Sequence, residues 1–88
     1  MRDFQNKTYW IVGASEGLGR ALAIQLAQLG AKVIISARNE ERLIELSEEI
    51  GSNSLVLPMD VTKESSVRSA YRKLPRTLDG FIYVSGVY

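Results

Sequence analysis

Three glycines within seven residues carry the clearest chemistry in this sequence. Gly13, Gly17 and Gly19 follow an apolar run at 9–12 and precede an amphipathic segment at 20–29. A glycine-rich turn between a strand and a helix lets the backbone approach an anion, and the unpaired N–H groups at the helix start point toward it. Because no Lys-Ser/Thr pair follows the last glycine, a P-loop is excluded. The spacing favours a dinucleotide-binding turn over one with only a structural role.

Two further groups in the turn face the predicted anion. Ser15 offers a hydroxyl and Leu18 a backbone N–H to the phosphates. Glu16 opposes them, because its carboxylate repels phosphate unless it turns to solvent or pairs with Arg20 or Arg38.

Arg38 lies just past the second apolar run, about 20 residues beyond the last glycine, where the adenosine ribose of a dinucleotide is held. An acidic residue there binds the 2′-hydroxyl of NAD, whereas an arginine accommodates the 2′-phosphate of NADP. Ser36 and Asn39 are weaker donors to the same phosphate. We therefore expect NADP rather than NAD, with an exposed loop arginine as the alternative.

Polar and small residues follow the third and fourth apolar runs. Asp60 can accept a hydrogen bond from the adenine amino group, with Val61 adding a backbone contact. The alternative role of Asp60 is an Asx-type cap of the next helix, and both roles are compatible. Ser85 and Gly86 are placed to line the ribose, where a glycine permits close approach.

The elements that must position these residues alternate regularly. Apolar, β-branched runs predict strands at 8–12, 33–37, 55–57 and 81–84. Three amphipathic segments between them predict helices that end near Gly30, Gly51 and Pro75. Asn39 is the expected cap of the second helix, and Thr62 or Ser65 that of the third. This alternation predicts an α/β fold with a parallel sheet and right-handed crossovers.

Apolar spacing predicts which face of each helix packs on the sheet. The expected stripes are Leu18, Leu22, Leu26 and Leu29 in the first helix, Leu43, Leu46, Ser47 and Ile50 in the second, and Val67, Ala70, Tyr71 and Leu74 in the third.

Composition restricts the function further. The chain has 88 residues, with 11 basic and 10 acidic side chains and a net charge of +1, so we expect neither a nucleic acid nor a membrane partner. With no cysteine and no histidine, disulfides, thiolate or imidazole catalysis, and metal sites with cysteine or histidine ligands are excluded. The polar N-terminus does not resemble a signal peptide, and no apolar stretch is long enough to span a membrane. We expect a single cytoplasmic domain.

Taken together, these motifs resemble the N-terminal part of a short-chain dehydrogenase/reductase. The resemblance covers roughly residues 6–87 and rests on four markers in order, namely Val12–Gly19, Ser36–Arg38, Asp60–Thr62 and Asp79–Gly86. It implies a Rossmann-type three-layer sandwich, here a partial doubly wound parallel sheet of four strands in the order 3-2-1-4 with three helices.

The resemblance also implies residue roles. The pyrophosphate would lie on the turn, Arg38 would select NADP, Asp60 and Val61 would hold the adenine, and Ser85 and Gly86 would line the ribose. The turn residues with this implied role are Gly13, Ser15, Gly17, Leu18 and Gly19. Two departures from the family pattern are Val12 in place of threonine and Tyr83-Val84-Ser85-Gly86 in place of Asn-Asn-Ala-Gly.

The catalytic residues of the family lie further along than this sequence reaches. Its serine and Tyr-x-x-x-Lys pair have no counterpart, since Tyr71 has its lysine two residues later instead of four. We expect residues 1–88 to be the N-terminal portion of the cofactor domain without its C-terminal half. The predicted function is NADP(H) binding for hydride transfer to a carbonyl or from an alcohol. The alternative is a stand-alone, non-catalytic nucleotide-binding or regulatory module.

The fourth strand also predicts an assembly. In the order 3-2-1-4 it is an edge, and its apolar run at 81–84 invites pairing with another chain. We expect a homodimer or higher assembly through this edge or through the face that the missing half leaves bare.

Overall fold

Strands and helices alternate along the whole of the described chain. A computed structural model describes residues 4–84. The elements are β1 (Thr8–Val12), α1 (Gly17–Gln28), β2 (Lys32–Ser36), α2 (Glu40–Ile50), β3 (Ser54–Val56), α3 (Glu64–Arg72) and β4 (Gly80–Tyr83). The predicted alternation is confirmed, with strand boundaries shifted by one residue in β2, β3 and β4.

The four strands form one parallel sheet in the order β3-β2-β1-β4, as predicted. Val12 at the end of β1 is in register with Ser36 of β2 and with Tyr83 of β4. Because parallel strands in register end together, the turns that follow β1, β2 and β4 emerge at one edge of the sheet.

Both faces of the sheet are covered, which gives the three layers expected. On one face, Ile11 and Ile35 pack with Ala23 of α1 and with Leu43 of α2. On the other face, the core contains Trp10, Val12, Ile34, Leu57, Met59 and Ala70, the last of these from α3. Since successive strand residues point to opposite faces, the continuously apolar strands supply both layers.

The predicted packing face of α1 is confirmed only in part, since Leu22 and Leu26 are half-buried but the two end residues of the stripe are not. Leu18 and Leu29 are 65% and 46% exposed, whereas Gly19 and Ala23 are buried. The helix backbone at Gly19 lies so close to the Gly13 carbonyl of the turn that any Cβ there would clash. This contact rotates α1, so that its buried face runs through Gly19, Ala23 and the half-buried Leu26.

Helix α2 follows the prediction closely. The Asn39 side chain accepts a hydrogen bond from the Arg42 amide at 3.1 Å, and Gly51 ends the helix with a positive φ of 96°. Leu43 and Leu46 are fully buried. The capping side chain and the apolar stripe of this helix are therefore confirmed.

Helix α3 departs from the prediction at two points. Tyr71 is 65% exposed, and its ring lies edge-on to that of Trp10, with 5.8 Å between the ring centroids, instead of entering the core. The residue at the capping position is Lys63, whose ammonium group has no acceptor atom, and no side chain caps the helix. The Thr62 hydroxyl donates to Asp60. The predicted cap by Thr62 or Ser65 is wrong.

Within residues 4–84, no helix is both long enough and apolar enough to cross a membrane. The same part of the chain contains no cluster of three or more side chains that could hold a metal ion.

Candidate cofactor site

A cavity of about 780 Å³ opens at the edge of the sheet where β1, β2 and β4 end. Most of the predicted site residues line it. These are Gly13, Ser15, Glu16, Gly17, Leu18, Arg38, Asn39, Asp60 and Val61. The parallel register brings together residues that lie almost 50 positions apart in the sequence.

The three glycines of the turn have different geometry. Gly13 has a φ of 90°, and its amide donates to the Ser36 carbonyl at 2.8 Å, which ties the turn to β2. A Cβ on Gly13 would clash with the Val84 carbonyl, and one on Gly19 would clash with the Gly13 carbonyl. Gly17 has a φ of 65°, and apart from its chain neighbours and the backbone of its own helix, no heavy atom lies within 4 Å of the position a Cβ would take. Gly13 and Gly19 thus allow close packing of the backbone, whereas Gly17 leaves open space beside the turn.

The start of α1 offers N–H groups to that space. The first amides of a helix have no acceptor within the helix, and here these belong to Gly17, Leu18 and Gly19. Glu16 is the capping residue in extended conformation, but its side chain makes no capping hydrogen bond. Because the helix dipole adds positive potential at this end, the turn can hold an anion such as a pyrophosphate.

Arg38 follows β2 and is exposed on the cavity wall. Among the described residues, no hydrogen bond or ion pair engages its guanidinium. The next residue, Asn39, has its side-chain oxygen occupied by the α2 cap. Arg38 is therefore a cation at the cavity that can bind an added phosphate.

Glu16 does not pair with either predicted partner. Its carboxylate accepts a hydrogen bond from the Arg42 guanidinium, and Arg20 instead bonds to Glu49 of α2. Arg42 also lines the cavity and was missed by sequence reasoning. The available signal was its position three residues after the Asn39 cap, which places it in the turn of α2 nearest the sheet edge.

Ser36 does not reach the cavity, so its predicted contact with the 2′-phosphate is wrong in this structure. Its side chain is fully buried, and its Oγ accepts a hydrogen bond from Trp10 Nε1 at 2.8 Å. Ser36 is the last residue of β2, and its side chain points to the face of the sheet that carries Trp10. Its carbonyl holds Gly13 in place. Ser36 therefore positions the turn.

Asp60 is held beside β2 by the backbone that precedes it. The amides of Leu57 and Met59 donate to the carbonyls of Ile35 and Ala37, at 2.9 and 3.0 Å. The chain thus continues alongside β2 beyond β3, and this pairing places Asp60 on the same cavity as Arg38.

The Asp60 carboxylate forms an Asx turn. Its Oδ1 accepts hydrogen bonds from the Thr62 hydroxyl at 2.6 Å and the Thr62 amide at 3.0 Å. These two bonds lower the pKa of Asp60, and the positive charges of Arg38 and Lys63 add to the effect. The Asx turn is present, but it does not cap α3, whose capping position is Lys63 and carries no side-chain capping hydrogen bond. The contact with adenine stays a prediction.

The predicted ribose contacts, Ser85 and Gly86, lie outside the described residues. The chain reaches them from β4, where the Val84 amide donates to the Val12 carbonyl at 2.9 Å.

The comparison with protein families agrees with this geometry. Residues 7–87 match the family model of the short chain dehydrogenases. The chain belongs to this family. The resemblance predicted from the glycine turn and the three strand-end markers is confirmed.

Curated relatives within the family are reductases and dehydrogenases. The chain is 49% identical over 63 residues to an NADPH-dependent pterin aldehyde reductase of Arabidopsis thaliana, covering 69% of this chain and 26% of that protein. It is 39% identical over 72 residues to the 3-oxoacyl-(acyl-carrier-protein) reductase FabG of Escherichia coli, covering 82% and 30%. The chain spans between 26% and 33% of the length of such relatives.

Solved structures show the same fold. A short-chain type dehydrogenase/reductase from Mycobacterium ulcerans superposes with a TM-score of 0.88 at 28% identity, covering 98% of this chain and 34% of that one. A 3-ketoacyl-(acyl-carrier-protein) reductase from Brucella melitensis complexed with NADH superposes with a TM-score of 0.75 at 33% identity, covering 78% and 28%.

Replacing Gly19 with alanine tests the close approach of α1 to the turn. Helix propensity alone predicts a gain of about 1 kcal/mol for Gly19→Ala. Because the new methyl group would meet the Gly13 backbone carbonyl, we expect a loss of about 1–3 kcal/mol in the free energy of unfolding. Urea denaturation measures it, with Gln25→Ala on the exposed side of α1 as the control. A stabilised Gly19→Ala variant would contradict the packing described.

Replacing Thr62 with valine tests the Asx turn. Removing the hydroxyl takes away the largest cause of the lowered Asp60 pKa, so that pKa should rise toward its ordinary value of 3.8 in Thr62→Val. A pH titration of the Asp60 carboxyl signal by NMR measures the shift.

The same pKa shift determines how the stability of the fold changes with pH. A lowered pKa in the folded state stabilises the fold above pH 3.8, and this contribution is lost as the pH falls through the lowered pKa. Thr62→Val should reduce this acid dependence. An Asp60 pKa that is the same in both proteins would show that the hydroxyl bond is absent in solution.

Proposed function

We propose that this chain binds NADP(H) and serves as the cofactor-binding part of a short-chain dehydrogenase/reductase. The observation that carries the proposal is one cavity lined both by the start of α1, whose amides no side chain caps, and by Arg38, whose guanidinium pairs with no described residue. A dinucleotide with a 2′-phosphate needs an anion site at each of these two places. The family membership supports a nicotinamide dinucleotide, and Arg38 favours the phosphorylated form.

The glycine turn would hold the pyrophosphate. In this proposal the amides of Gly17 and Leu18 and the hydroxyl of Ser15 donate to its oxygens. Gly17 leaves room for the anion, since no atom occupies the position of its missing side chain. Gly13 and Gly19 keep the turn pressed against the sheet, so the amides are fixed before any ligand arrives.

The adenosine end would lie between β2 and the segment after β3. Arg38, with Asn39 beside it, would bind the 2′-phosphate. Asp60 would accept a hydrogen bond from the adenine amino group through Oδ2, since Oδ1 is occupied by Thr62. Val61 would add a backbone contact to the base.

The remaining predicted contacts are those of Ser85 and Gly86 with the ribose. When bound, the nicotinamide supplies or accepts a hydride in exchange with a carbonyl or alcohol. The part of the chain described here would bind and orient the cofactor for that exchange.

We propose that residues 1–88 are the N-terminal portion of a dinucleotide-binding domain. The chain spans between 26% and 33% of its relatives' length, which supports a division between cofactor binding here and substrate chemistry elsewhere. The serine and Tyr-x-x-x-Lys groups of the family would then follow residue 88.

One observation favours the second candidate, a nucleotide-binding module without catalysis. Tyr83 lines the cavity, but no lysine is among the described residues that line it with this tyrosine. In the family the tyrosine that exchanges the substrate proton is followed four residues later by a lysine, and Val87 holds that position after Tyr83. The presence or absence of a Tyr-x-x-x-Lys sequence beyond residue 88 in the gene separates the two candidates.

Replacing Arg38 with methionine tests the cofactor preference. Charge-assisted hydrogen bonds contribute about 1.5–3 kcal/mol, so Arg38→Met should weaken NADP binding by roughly tenfold to 100-fold. NAD binding should change less than about threefold, because NAD lacks the 2′-phosphate. Titration calorimetry with both dinucleotides measures the difference.

The matched control is Arg68→Met. Arg68 carries the same charge and pairs with Glu64 on α3, away from the cavity. Equal losses for NAD and NADP in Arg38→Met, or tighter NAD binding by the unaltered chain, would refute the preference for NADP.

We also propose self-association through the edge at β4. This strand ends the sheet, and Phe81 and Tyr83 on it are more than half exposed. Because a charge on an edge strand opposes pairing with another chain, Phe81→Lys should shift the protein toward the monomer. Light scattering at high concentration measures this, and an unaltered chain that is monomeric there would refute the proposal.

A further inference from the structure

An ion pair connects the glycine turn to α2 at the mouth of the cavity. The Arg42 guanidinium donates to the Glu16 carboxylate, and the two side chains are 52% and 56% exposed. Both residues line the cofactor cavity, and both also line a neighbouring cavity of about 560 Å³ between α1 and α2. The pair therefore lies between the two cavities.

The position of Glu16 makes its carboxylate a competitor for the anion site. Glu16 directly precedes α1, so its side chain is tethered next to the amides of Gly17 and Leu18. A carboxylate at a helix N-terminus is attracted by the same dipole and N–H groups that bind a phosphate. An unrestrained Glu16 carboxylate would either occupy the site proposed for the pyrophosphate or repel the pyrophosphate from it.

The structure shows that this competition is avoided. Glu16 makes no capping hydrogen bond to α1, and its carboxylate is bonded to Arg42. Arg42 is well placed for this role, because its own amide is fixed by the Asn39 side chain at 3.1 Å. The cap of α2 thus anchors the cation that holds Glu16.

The other two arginines near the turn do not perform this function. Arg20 is engaged by Glu49 of α2. Arg38 has no ion pair within the described residues. Of these three arginines, only Arg42 is bonded to the carboxylate of the turn within the described residues.

We propose that Arg42 is a positioning residue that holds the Glu16 carboxylate away from the α1 amides and so keeps the pyrophosphate site open. Arg42 acts through Glu16 and does not itself contact the dinucleotide. The effect on binding rests on the proposed function, whereas the effect on the amides of α1 does not depend on any ligand.

A double-mutant cycle in NADP binding tests the proposal. Arg42→Met should weaken NADP binding by roughly threefold to tenfold, since the freed carboxylate competes with the pyrophosphate. Adding Glu16→Gln to that variant should restore binding to within about twofold, because the competing charge is gone. Arg42→Lys, which keeps the charge, should retain most of the affinity.

The second readout uses no nucleotide. In NMR spectra of the free protein, Arg42→Met should move the amide signals of Gly17 and Leu18, and the same substitution in the Glu16→Gln background should leave them nearly unmoved. Arg68→Met is the charge-matched control for both measurements, because its ion pair with Glu64 lies on α3.

The possible outcomes are distinct. If Glu16→Gln fails to restore NADP binding to Arg42→Met, Arg42 contacts the cofactor directly and the proposal is overturned. If the amide signals of the turn do not respond to Arg42→Met in the free protein, Glu16 is not held by Arg42 and the proposal is overturned. If the unaltered chain binds no NADP while the amide signals respond as expected, the proposed function fails and the control of Glu16 by Arg42 stands.

Discussion

The contact on which the site depends is the approach of two backbones at the glycine turn. The Gly13 carbonyl lies so near Gly19 that a side chain at position 19 would clash with it. This contact sets the depth and rotation of α1 on the sheet, which in turn selects Ala23 and Leu26 as its buried face. It also aims the first amides of the helix at the cavity. Packing and binding thus share one constraint.

A second layer of support lies beneath the turn. The Ser36 carbonyl accepts a hydrogen bond from the Gly13 amide, and the Ser36 hydroxyl accepts one from the Trp10 indole. It therefore connects the turn to the core on the opposite face of the sheet. A buried hydroxyl with a satisfied partner adds directional specificity that apolar packing alone does not give.

Much of this fold could be predicted from the sequence because the deciding signals are local. The glycine spacing, the Asn39 cap with its apolar stripe, and the apolar strands each depend on residues near one another in the chain. The orientation of α1 was predicted only in part. The spacing of its leucines does not reveal the close approach at Gly19, which leaves Leu18 and Leu29 exposed. Tyr71 was misplaced for a related reason, since its helical spacing does not reveal that its ring stays exposed, edge-on to Trp10.

The residues that line the cavity were predicted better than the ion pairs and hydrogen bonds that their side chains make. The strand-end rule brings Arg38 and Asp60 to the turn without any knowledge of side-chain directions. The partner of Glu16 depends on how α2 crosses the sheet edge, which no spacing reveals. Ser36 was assigned to the ligand for the same reason, because periodicity places a strand's last residue but does not say which layer its side chain enters.

The bond between Trp10 and Ser36 also gives the molecule an intrinsic optical probe. The chain contains a single tryptophan, and its indole is 4% exposed. Its emission therefore comes from one environment. Two hydrogen bonds, one from Trp10 to Ser36 and one from the Gly13 amide to Ser36, connect this environment to the turn. A loosened turn that admits water to Ser36 would change that environment and move the emission to longer wavelength. The state of the turn can thus be followed in the unlabelled protein.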